Sequence, residues 1–114
     1  MKFFVCHPIE DETRRLDHDD RIQFLSFLAG TEAQEVQALP EARLYVVLSG
    51  MYLTYGYADQ ILTELEQAAA ARMPILVVRP YGTGYVPAAL RPWADEVCDF
   101  IQSAVWEAIA KFEN

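Results

Sequence analysis

Two apolar runs constrain this chain more than anything else in it: Leu44-Tyr45-Val46-Val47-Leu48-Ser49 and Pro74-Ile75-Leu76-Val77-Val78. Neither alternates with polar residues, so neither has a face meant for water. Strands of this kind are buried on both sides, as in parallel sheets covered by helices. Between them lie an aromatic stretch, residues 50–57, and a segment where Ile61, Leu62, Leu65, Ala68 and Ala69 recur at helical spacing. The order β-loop-α-β follows, and it predicts an α/β fold.

The rest of the chain extends that reading. Lys2-Phe3-Phe4-Val5-Cys6 reads as a first buried strand. His7-Pro8 ends it, since proline cannot donate to a ladder and biases its predecessor to extended geometry. Residues 9–20 are polar and acidic without an apolar period, and read as a loop with at most one loose turn. Asp19 or Asp20 is expected to cap a helix over 21–28, with Ile22, Leu25 and Leu28 as its stripe and Gly30 just past its end. Thr31, Glu32, Glu35 and Val36 suggest a second short helix, to about residue 39, ended by Pro40. Asp59 is expected to cap the helix that ends near residue 72, and Met73-Pro74 makes a tight connection. A loop over 81–91, a last strand over 97–101 and a final helix capped by Ser103 complete the chain, with Val105, Ile109 and Phe112 inward. This alternation implies a mainly parallel three-layer sandwich.

At 114 residues and 53% hydrophobic content, residues 1–114 are expected to form one domain with one core. The two cysteines, Cys6 and Cys98, are too few for a disulfide framework. Residues 1–6 are too short for the apolar part of a secretory leader, and Glu10, Asp11 and Glu12 follow at once. A reducing cytoplasm is the expected location. No apolar run approaches the roughly 18 residues of a membrane span. The net charge of −8, with lysines and arginines scattered nearly singly, repels nucleic-acid phosphates. An anionic dinucleotide stays compatible, because helix N-termini bind phosphate without a basic surface.

Several motifs resemble one family. Ser49-Gly50-Met51-Tyr52, then Glu64-Leu65-Glu66-Gln67-Ala68, then Met73-Pro74-Ile75 look like the middle of a TIR-like domain. Glu64, Ala68, Pro74 and Ile75 fit the family's spacing. Val78-Arg79-Pro80-Tyr81-Gly82, Val86-Pro87, Ala94-Asp95-Glu96-Val97 and Ser103-Ala104-Val105-Trp106-Glu107-Ala108-Ile109 resemble the bacterial TIR-like family with a flavodoxin-like fold. That branch includes the TIR subunits of Thoeris antiphage defence. The match runs from about residue 39 to 109. Cys6 stands where the family usually has Ser, and Gln60 where an aromatic is often found. The segment before Leu44 is short for a full second strand and its helix, so a trimmed sheet of about four strands is expected.

The resemblance implies cleavage of the nicotinamide–ribose bond of NAD, or cyclisation of the ADP-ribose product, in a signalling protein. It also implies self-assembly through TIR–TIR contacts, and some relatives are inactive adaptors. Cleavage passes through a cationic, oxocarbenium-like sugar, which a nearby carboxylate stabilises. Glu64 is the candidate catalytic residue. Tyr52, Tyr55 and Tyr57 crowd the loop before its helix, and Tyr52 is the best placed to stack on a base. His7 and Asp11 follow the first strand as candidate ribose or phosphate contacts. Ser49 ends its strand with a hydroxyl able to face the cleft. Arg79 could contact a phosphate or pair with an acid such as Asp95, and Tyr81 follows it as a substrate contact. Asp17-His18-Asp19-Asp20 matches no defined metal loop, and acids suit helix N-termini anyway. No metal or resident cofactor is expected; NAD enters as substrate. A non-catalytic TIR-like assembly module and a nucleoside deoxyribosyltransferase-like enzyme are the competing readings.

Overall fold

The two apolar runs become neighbouring strands of one parallel sheet. A computed structural model describes residues 1–6, 15–52, 57–82 and 85–113, and for 15–19 the backbone alone. The strands are β1 (Lys2–Val5), β2 (Gln34–Glu35), β3 (Leu44–Leu48), β4 (Ile75–Arg79) and β5 (Glu96–Asp99). All pair in parallel, in the order β2-β1-β3-β4-β5. The helices are α1 (Arg15–Phe27), α2 (Ser49–Tyr52), α3 (Ala58–Ala70) and α4 (Gln102–Phe112). This is an α/β sandwich with the strand order of flavodoxin-like folds. Among the described residues no helix is long and apolar enough to cross a membrane.

Register and alternation assign the two faces. Residues paired across parallel strands share a face, and successive residues alternate. Phe3 pairs with Leu44 and Val5 with Val46. The Phe3 ring meets Phe24 of α1 edge-on, with centroids 6.0 Å apart, so this face lies under α1. Phe4 pairs with Tyr45 and stacks on it at 6.0 Å on the other face, which α3 covers. Every residue of β3 is buried, as its uninterrupted apolar pattern requires. The α4 helix is tied to the end of α1 by Trp106, whose Nε1–H donates to the Phe27 carbonyl at 2.6 Å.

Five strands stand where about four were expected. The additional one, β2, replaces the helix read into the residues after Thr31. Its amides satisfy the open edge of β1: Gln34 N–H donates to the Met1 carbonyl at 2.8 Å and Val36 N–H to that of Phe3 at 2.9 Å. Glu35, read as helical, instead forms an ion pair with Arg21 of α1, with both side chains largely shielded from water.

The α1 helix also departs from expectation. It begins at Arg15, so part of the supposed acidic loop is helical and neither Asp19 nor Asp20 is its cap. Ile22 is half exposed, whereas Phe24 and Leu28, at i and i+4, carry the buried face. Asp59 lies in the first turn of α3 and Ser103 in that of α4, but neither helix has a side-chain cap bond. The last strand is 96–99 rather than 97–101. Gly30 does adopt the left-handed φ expected past a helix end, +81°.

Candidate functional site

The α3 helix buries Ile61, Leu65 and Ala68, the i, i+4 and i+7 positions of one stripe. Glu64 occupies the i+3 position of that stripe. Its carboxylate therefore turns toward the sheet and is half-buried. There it accepts a hydrogen bond from Tyr45 Oη at 2.7 Å. Tyr45 is fully buried in β3. Burial pushes its phenol far above the ordinary range, and the neighbouring Cys6 and Glu64, with the hydrogen bond to Glu64, add to the shift. Tyr45 is thus a donor at every ordinary pH.

Cys6, Met51 and Ser49 lie at the strand ends nearby. Cys6 N–H donates to the Val46 carbonyl at 2.8 Å, carrying the β1–β3 ladder past the strand end. Its Sγ contacts Met51 Sδ at 3.7 Å. Burial pushes the Cys6 thiol up to about 12, and Glu64 raises it further while the Leu48 backbone and Arg21 oppose this. A thiol held protonated is a poor nucleophile, so Cys6 fits a packing role. Ser49 is not the last residue of β3; it opens α2 and is fully buried. Its Oγ has no hydrogen-bond partner among the described residues.

The Cys6 shift has a measurable consequence. The thiol titrates near 9.0 in its ordinary state and near 12 when folded. A folded value above the unfolded one leaves stability intact below pH 9 and removes it as pH climbs toward 12. Near pH 10.5 the loss from Cys6 is about 2 kcal/mol. Urea midpoints at about pH 8 and pH 10.5 should differ accordingly, and Cys6→Val should shrink the difference. Equal sensitivity in the variant would remove Cys6 as the cause.

The other expected site residues are spread over the sheet mouth. Tyr52 ends α2, half-buried against the core. Tyr57 is in the core, 1% exposed. His7, Asp11 and Tyr55 lie outside the described residues, as do the side chains of Asp17, His18 and Asp19. Arg79 ends β4, and its Nε donates to Asp99 Oδ1 at 2.6 Å. That partner is its register neighbour on β5, not Asp95. Asp95 instead accepts the Ile75 N–H at 2.8 Å, closing the start of β4. Tyr81, 68% exposed, lines a cavity of about 250 Å³ with Leu48, Val78 and Phe100. Leu48 pairs with Val78 and shares the α1 face with Leu44 and Val46. Glu64 and this cavity therefore lie on opposite faces of the sheet.

A larger cleft, about 450 Å³, opens between Arg72, Pro74 and Trp93. Size favours it, but it lies by the N-terminal start of β4. Open α/β sheets bind ligands beyond the C-terminal ends of their strands, which favours the smaller cavity, lined by Leu48 and Val78 near the ends of β3 and β4.

Sequence reasoning did not single out Tyr45. The available signal was a hydroxyl inside an otherwise apolar strand, since a buried tyrosine needs a partner. A carboxylate inside an apolar helical stripe was the complementary signal. No protein-family model and no curated protein matches this chain.

Proposed function

We propose that this chain is a cytoplasmic TIR-like domain that cleaves the N-glycosidic bond between nicotinamide and ribose in NAD, within a self-assembling bacterial signalling or defence system. The observation that carries the reading is the 2.7 Å hydrogen bond from Tyr45 Oη to Glu64 Oε1, beneath a helix of a parallel flavodoxin-ordered sheet. A neutral phenol fixes the carboxylate without neutralising it. In the reaction the C1′–N bond breaks and nicotinamide leaves with the electron pair, uncharged. The ribosyl cation that forms is stabilised by Glu64. Water then adds to C1′ and releases a proton, giving ADP-ribose. An internal nucleophile adding in its place gives a cyclic product.

One observation favours the non-catalytic alternative. Tyr45 is fully buried, and a buried phenol requires an acceptor whether or not any reaction occurs. Nicotinamide release from NAD by concentrated protein, followed by chromatography with and without a crowding agent, separates the readings. Tyr45→Phe should lower kcat about tenfold, the value of one hydrogen bond to a charged group. A Tyr45→Phe enzyme with unchanged kcat would mean the bond serves folding alone. No nicotinamide from wild type under either condition would favour the adaptor.

A further inference from the structure

Nothing in the chemistry assigned to Glu64 uses the groove between α4 and the turn that follows α1. One wall is a stripe of α4: Trp106, Ile109 and Ala110 at i, i+3 and i+4, with Glu113 next on the same stripe at the helix end. The other wall is Leu28 and Glu32, ahead of β2. Leu28 and Ile109 are buried and form an apolar floor. Trp106 is 47% exposed, yet its ring is fixed in place, because Nε1–H donates to the Phe27 carbonyl at 2.6 Å. The groove encloses about 210 Å³. That is below the roughly 300 Å³ at which small-molecule sites begin, and it suits one long side chain.

The rim is acidic. Glu32 and Glu113 are both exposed, and among the described residues neither carboxylate has an ion pair or a hydrogen bond. The Met1 amine donates to the Glu32 backbone carbonyl at 3.2 Å, not to its side chain. Lys111, in the last turn of α4, pairs with Glu96 at 3.3 Å instead. The C-terminal end of α4 adds its own partial negative charge. An aromatic face, an apolar floor and unneutralised acids together match a cation carried on a long apolar stem.

From this arrangement we infer that the groove docks a basic segment of a partner protein, one arginine side chain filling it. The flat guanidinium stacks on Trp106 and turns its N–H groups to the rim carboxylates, while its methylenes lie on Leu28 and Ile109. A second copy of this chain is the poorer occupant, since two bodies of net charge −8 repel each other. The assignment does not depend on the reading of Glu64.

The test uses three fluorescent peptides, Gly-Ser-Lys-Xaa-Lys-Ser-Gly with arginine, citrulline or glutamate at the centre, titrated against the whole chain by anisotropy. Citrulline keeps the shape of arginine without its charge. The arginine peptide should bind about tenfold more tightly than the citrulline peptide, and should weaken as salt is raised. Glu32→Gln combined with Glu113→Gln, both at exposed positions, should erase that preference without disturbing the fold. Trp106→Ala should weaken the arginine peptide about tenfold, with thermal melting as the check that the variant is folded. Arginine and citrulline peptides that bind alike, an arginine peptide that fails to saturate, or a preference that survives loss of both acids overturns the site. Sedimentation of the whole chain as a dimer that Trp106→Ala disperses would also overturn it, and would give the groove to a second copy. Nicotinamide release is not a readout here, so either result leaves the reading of Glu64 where it stands.

Discussion

Glu64→Gln is expected to reduce nicotinamide release from NAD about a hundred- to a thousandfold, the scale of losing a group aimed at transition-state charge. The folded protein should hardly notice. The glutamine carbonyl still accepts from Tyr45 Oη in the geometry of the 2.7 Å bond, so the stability change should stay under about 1 kcal/mol. Glu64→Leu is the informative partner. It removes the acceptor, leaves a buried phenol unsatisfied and should cost about 1–3 kcal/mol. Turnover that survives Glu64→Gln would end the catalytic assignment. Wild type without turnover, combined with a large stability loss in Glu64→Leu alone, would assign the carboxylate to folding.

The largest expected loss of stability comes from Phe24→Ala, about 3–5 kcal/mol. Phe24 is fully buried. Its ring meets Phe3 of β1 edge-on at 6.0 Å and Phe100 after β5 at 6.5 Å. Phe27 meets the same Phe100 ring at 5.5 Å, so α1 is bound to the sheet and its far corner by one aromatic group. Truncating Phe24 opens a cavity between three elements that cannot collapse together. Ile22→Ala, at a half-exposed position two residues earlier, should change stability by no more than about 0.5 kcal/mol. Chemical denaturation of both variants decides the point. Equal losses would mean that α1 turns its Ile22 face to the core.

That contrast marks where pattern reading stopped working. Of the stripe Ile22, Leu25 and Leu28, Leu28 is buried and Leu25 packs against the core, but Ile22 is half exposed and Phe24 takes the buried place. Spacing of i, i+3 and i+6 tolerates a rotation of the helix, and only the phenylalanines of the sheet select one. The residues around Glu35 failed for a related reason. Two residues carry no period, and what made them a strand was the unpaired edge of β1. Helix caps were over-read, because acids and serines near a helix start satisfy the dipole without accepting an amide hydrogen bond. The central strands were legible because burial on both faces leaves no polar position to interrupt the pattern.

The candidate site divides in the same way. Glu64 could be chosen only because its spacing to Ala68, Pro74 and Ile75 resembles that of a known family. Its orientation toward the sheet and the phenol that holds it belong to the packed structure, since Tyr45 and Glu64 are 19 residues apart. Arg79 could be placed at a strand end, but its partner came from the β4–β5 register, which pairs it with Asp99. By itself the sequence determined the fold class and the buried central strands β3 and β4, because uninterrupted apolar runs admit burial on both faces and little else. Tertiary structure alone decided the helix faces, the added edge strand, and the separation of Glu64 from the mouth cavity. Each depends on which distant groups meet across the sheet, and one-dimensional spacing carries no information about that.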